Sequence, residues 1–119
     1  MPGLEHSISG LQQALDTPRR HQMWRWLVRH RMAAVKDALS PEGARGGDAW
    51  LAARELTLLR ERDTLLRRLT DLGPSVLESP DLEAVRAELV RTVADVERYR
   101  QRLNDLVYDS VSLELGGSE

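Results

Sequence analysis

The chain has no cysteine and no phenylalanine, a single lysine against sixteen arginines, and five aromatic side chains in all, three Trp and two Tyr. Each scarcity excludes something. Without cysteine there is no disulfide, no thiolate nucleophile and no Cys-ligated zinc or iron–sulfur centre. With aromatics at 4% of residues, a core has to be assembled from Leu, Val and Ala, a palette that suits helix packed on helix. No stretch approaches the roughly 18 consecutive apolar residues of a membrane-spanning helix. Met1 to Leu15 lacks a basic segment followed by an apolar run, so the sequence predicts a cytoplasmic protein. The net charge of -2 selects no class of partner.

Catalytic patterns are equally scarce. His6, His21 and His30 lack the spacing of metal ligands, and no HExxH, GxSxG or paired-carboxylate motif stands in a context that would give it meaning. The glycines of Ser40 to Gly47 precede a helix start in the manner of an anion-cradling loop, but the Lys-Ser or Lys-Thr that a P-loop needs is missing, which leaves a linker. The sequence therefore predicts no catalytic residue, no metal and no cofactor, and a non-enzymatic role.

What is present is periodicity. From Leu82 onward, Leu82, Leu89, Val96, Leu103 and Ser110 recur every seven residues, with Val85, Thr92, Tyr99, Leu106 and Leu113 between them. That is the stripe of a long amphipathic helix. An earlier arm repeats Leu51, Leu58, Leu65 and Leu72, with Glu55, Arg62 and Leu69 at the alternate seam positions. Gly73-Pro74 and Ser79-Pro80 lie between the arms and read as helix stop and helix start. Acids at the tip, Asp71, Glu78 and Asp81, have an ordinary capping role. The fold class expected is all-α, an antiparallel coiled-coil-like hairpin of helices 48–72 and 80–112.

If Leu72 meets Leu82 across such a turn, Leu65 faces Leu89, Leu58 faces Val96 and Leu51 faces Leu103. Arg62 then falls opposite Thr92, and Glu55 opposite Tyr99. These four residues are expected to form two polar layers that set the register of the hairpin, as a polar seam residue does in coiled coils.

Ahead of the hairpin, Thr17-Pro18 offers a cap and a first-turn proline for a helix 18–39. Met23, Trp24, Leu27, Val28, Ala34, Val35, Ala38 and Leu39 fall on one broad arc, Arg25, Arg29 and Lys36 form a stripe beside it, and Trp26 lies on the polar side near His30. Counting Arg19, Arg20 and Arg31 with these against Asp37 alone, this helix carries a net charge of about +5. Residues 1–17 read as a short helix around Ile8, Leu11 and Leu15 or as a disordered segment, since Gly10 interrupts a pattern already short. Residues 113–119 read as an acidic flexible tail, with the preceding turn either a fraying helix end or a strand for a partner's sheet edge.

One domain, 18–112, follows: a hairpin plus an N-terminal helix as a three-helix bundle. Secondary strips at Val90, Val93 and Val107 and at Leu56, Leu59 and Leu66 would receive that helix or a second copy. The hairpin is long for one short helix to cover, so a homodimer is expected. The functional expectation is a protein-interaction or adaptor module, with Trp24, Arg25, Trp26, Arg29 and Lys36 as its candidate surface and an unknown protein as partner. The alternative is a nucleic-acid-associated regulatory protein that sets the same basic helix against phosphates. A membrane surface is a third and less favoured partner for it.

Overall fold

In the N-terminal segment Leu4, Ile8, Leu11, Ala14 and Leu15 recur at helical spacing, and all five are buried in helix α1 (Pro2–Asp16). Pro2 stands at the first helical position, where its missing amide costs nothing. The computed structural model describes residues 2–18, 23–40 and 56–117, with side chains between 3 and 106. Among the described residues it contains four helices and no strand. The all-α expectation therefore holds, with four helices where the sequence predicted three.

Thr17 closes α1 instead of opening the next helix. Its amide donates to the Ala14 carbonyl at 3.2 Å and its hydroxyl to the Gln13 carbonyl at 3.2 Å, satisfying two acceptors that the helix end leaves open. Helix α2 is Trp24–Leu39, starting later than the predicted residue 18, with 19–22 outside the described residues. It buries Trp24, Val28, Met32, Val35 and Leu39. Met32 was not among the residues expected on that arc, while Met23 and Ala34, which were, face solvent.

Helix α3 (Leu56–Glu78) runs straight through Gly73 and Pro74, where the sequence predicted its end. An interior proline forfeits one backbone hydrogen bond and crowds the preceding turn, at about 3 kcal/mol. Against that, the continued helix buries Val76 completely and seats Gly73 in the interior. The turn is consequently Ser79 to Asp81. The cap of helix α4 (Leu82–Gly117) is Asp81 in place of Ser79: Asp81 Oδ1 accepts from the Ala84 amide at 3.1 Å, and Ser79 Oγ accepts from the Asp81 amide at 3.1 Å. The backbone of α4 stays helical to Gly117, so the tail expected from 113 is helical over most of its length.

Among the described residues each helix packs against two neighbours, α1 on α2, α2 on α3, α3 on α4 and α4 on α1, with no diagonal contact. Successive helices are antiparallel, and the ring closes on a core of Leu, Val, Ile and Met side chains with Trp24 and Tyr99 among them. α1 thus occupies the slot on the hairpin that a second copy was expected to fill. Val93 is buried there, whereas Val90 and Leu56 of the same expected strips remain exposed.

Moving the turn moves the register. Arg68 pairs with Asp95 at 2.7 Å, and Glu61 pairs with Arg102. A turn centred as the sequence suggested would have set Arg68 against Arg86 and Glu61 against Val93, so these pairs have shifted along the second arm by about two and a half helical turns. The cation at buried Thr92 is Arg68, whose Nη2 donates to Thr92 Oγ1 at 3.1 Å. The expected Arg62–Thr92 layer is replaced by Arg68, Thr92 and Asp95. Glu55 lies outside the described residues, so its expected layer with Tyr99 does too; Arg62 and Tyr99 are both buried between the arms.

Candidate functional site

The α2 helix has three usable faces, and the surroundings assign each one differently. Its inner face is core: Trp24, expected on the interaction surface, is completely buried, and its indole Nε1 has no hydrogen-bond partner. A buried unpaired donor of this kind costs about 1–3 kcal/mol, so apolar packing of the ring outweighs it.

The second face, the basic stripe, lies along α3. Arg25 Nη1 donates to the Val76 carbonyl at 3.3 Å. That carbonyl would ordinarily receive the amide four residues on, but position 80 is proline, which has none. Arg25 supplies the missing donor. One turn further along, Arg29 lies flat over Gly73: a side-chain carbon there would stand 3.2 Å from Arg29 Nε and 3.3 Å from Cζ. Both arginines are half-buried. Lys36 sits in the last turn of α2, where a cation complements the helix dipole.

Arg31 goes to the opposite neighbour, with its Nη1 3.3 Å from a side-chain carbon built on Gly10 of α1. The seats at Gly10 and Gly73 were missed in the sequence, although an isolated glycine inside a helical pattern does signal close approach by another group.

The third face points outward and carries aromatic surface. Trp26 is 56% exposed and stacks on His30, one turn later, with ring centroids 5.1 Å apart and planes 6° from parallel. Met23, 51% exposed, stands one turn earlier on the same face. Trp26 was placed correctly on the polar side near His30; Met23 joins it where the sequence had put it in the core arc.

Elsewhere the surface is ion-paired. Asp95 accepts from both Arg68 and Arg98, and Arg91 meets Glu88 at 2.5 Å. Arg100 grips Glu97 through Nε at 2.9 Å and Nη2 at 2.7 Å and approaches Glu5 of α1 at 3.9 Å. Hydrogen bonding from Arg100, opposed by partial burial, holds the Glu97 carboxyl below its ordinary range, and the same contact raises the Arg100 guanidinium. Arg91 likewise lowers Glu88. At the far end of the α1–α4 interface Arg86 Nε donates to the Leu15 carbonyl at 3.1 Å, capping α1. Beside it an open groove of about 360 Å³ is lined by Gln12, Leu15, Asp16, Val90, Val93 and Ala94. Among the described residues no three His, Asp or Glu side chains converge as metal ligands, and no helix is long and apolar enough to cross a membrane. No protein-family model, curated protein or solved structure matches the chain.

Proposed function

We propose that the chain is a non-enzymatic interaction module that engages a protein partner through the outer face of α2. The observation that carries this reading is the exposed Trp26–His30 stack, continued by Met23. Tryptophan is costly to leave in water and is enriched among the residues that dominate binding energy. Stacking on His30 fixes the Trp26 ring before any partner arrives, which lowers the entropy lost on association.

The expectation of a homodimer rested on a hairpin too long for one helix to cover. With α1 and α2 both packed on it, the hairpin is covered from two sides, and light scattering at two salt concentrations measures the association state directly. The phosphate-backbone reading has less behind it, because Arg25 and Arg29 are half-buried along α3 and are not displayed on an open face. The test compares the wild-type chain with Trp26→Ala in affinity capture with and without nuclease. The expected result is a nuclease-resistant partner, retained at high salt and lost by at least tenfold in the variant. Helix content should stay unchanged, since an exposed side chain contributes within about 0.5 kcal/mol to stability. Recovery of nucleic acid, shed at high salt, would refute the proposal in favour of phosphate binding.

A further inference from the structure

The stripe on α3 has more donors than the protein uses. An arginine carries five N–H donors in a planar fork, and of the ten or so on Arg25 and Arg29 the one with an acceptor among the described residues is Arg25 Nη1, bound to the Val76 carbonyl. Among the described residues no carboxylate lies within ion-pairing distance of either guanidinium, in a chain where Arg68, Arg91, Arg98, Arg100 and Arg102 all have one. The two stand at i and i+4, a spacing at which like charges repel. Both are half-buried, which weakens the screening that makes such repulsion harmless at a surface. Their heads rest three residues apart on α3, at Val76 and over Gly73. That separation is ~4.5 Å by helical rise, close enough for one tetrahedral anion to touch both.

We infer that Arg25 and Arg29 form a discrete oxyanion site in the α2–α3 groove, and that its ligand is a phosphate monoester group, carried by a small molecule or by a phosphorylated side chain. A monoester near pH 7 bears close to two negative charges and three acceptor oxygens, which balances two guanidiniums, whereas a carboxylate leaves one uncompensated. A nucleic-acid backbone fits less well: each phosphodiester carries a single negative charge, which leaves one of the two guanidiniums uncompensated as a carboxylate does. The site stands independently of the Trp26 face, since it uses a different face of α2.

The test follows phenyl phosphate by phosphorus NMR as the full chain is added, in parallel with a short phosphoserine peptide. The wild type should perturb at least one of them at millimolar concentration. Arg29→Gln should weaken the effect at least tenfold, and Arg31→Gln, which alters the guanidinium over Gly10, should leave it within about twofold. Gly73→Ala is the second variant, because its methyl pushes the Arg29 guanidinium outward by a few tenths of an ångström while adding a better helix former; it should weaken binding in a fully folded protein, by less than Arg29→Gln does. Tighter binding of the peptide than of phenyl phosphate identifies a phosphorylated side chain as the source, and equal binding a small ester. No perturbation of either at about 10 mM, the weak end of measurable affinity, overturns the site. So does an unchanged affinity in Arg29→Gln or in folded Gly73→Ala. Tighter, strongly salt-dependent binding of a duplex oligonucleotide would replace the discrete site with a polyanion surface.

Discussion

Single residues in this fold are decided by what lies opposite them more than by their own chemistry. Arg29, Arg31 and Arg100 belong to one residue type, yet Arg29 rests on a glycine of α3, Arg31 on a glycine of α1, and Arg100 clamps a carboxylate of its own helix. The Arg100–Glu97 pair has a measurable signature. Because Arg100 lowers the Glu97 pKa from its ordinary 4.5, the folded state holds its proton less tightly than the unfolded chain. Its stabilising contribution is complete above about pH 4.5 and is lost as pH falls through the lower folded value. Glu97→Gln should therefore flatten the acid limb of the stability curve, which urea midpoints at pH 7 and near pH 3.5 would show. An equal loss at both pH values would mean that Glu97 acts through packing. The stack of Trp26 on His30 was legible in the sequence, since residues four apart on a helix share a face. The burial of Trp24 beside it was legible as part of the apolar arc, but its assignment to a binding surface was not sustained, because the sequence does not say how many neighbours a helix will have.

At the scale of the element, local punctuation was read correctly as chemistry and wrongly as position. Gly73-Pro74 does carry a helix-breaking cost, but Val76, which is buried and seats Arg25, lies beyond it, and its burial outweighs the break. Thr17-Pro18 and Ser79-Pro80 were read as starts; Thr17 seals the end of α1, and the start of α4 is capped by Asp81. The same polar side chains serve either purpose, and only the register of the whole bundle selects one. Pro74 gives the test. It is exposed, so Pro74→Ala restores an amide to α3 without disturbing a packed side chain. Part of the ~3 kcal/mol helical penalty is recovered, less about 0.4–1 kcal/mol for the freer unfolded chain, for an expected net gain of roughly 1–2 kcal/mol. The urea midpoint should rise at unchanged slope. A falling midpoint would mean that the helix bends at Pro74 to bring the Val76 carbonyl to Arg25, and that the proline is part of the fit.

On the scale of the whole molecule, the consequential difference is α1. Read alone, it is a 15-residue segment with a glycine in its middle, and a helix that short is marginal in water. Its stability comes from docking, which no local pattern reveals, and so a segment that reads as a short helix or as disordered completes a bundle of four helices among the described residues. Leu4, Ile8, Leu11 and Leu15 are each at most 3% exposed. At about 1.5–3 kcal/mol per large side chain, their burial amounts to roughly 6–12 kcal/mol, comparable with the entire stability of a typical small domain. Leu11→Ala, at the centre of this face and 0% exposed, should cost about 2–5 kcal/mol in denaturant unfolding. Deletion of residues 1–16 should abolish cooperative unfolding of the monomer, because the α2 and α4 surfaces that α1 covers would face water together. If the truncated chain instead unfolds cooperatively at a mass twice that of one chain, the uncovered surfaces have found each other, and the hairpin can recruit a second copy when α1 leaves its slot. In that case α1 is a competitor for the dimer face, and the chain's ability to associate is set by how tightly Arg86 and Arg100 hold α1 against α4.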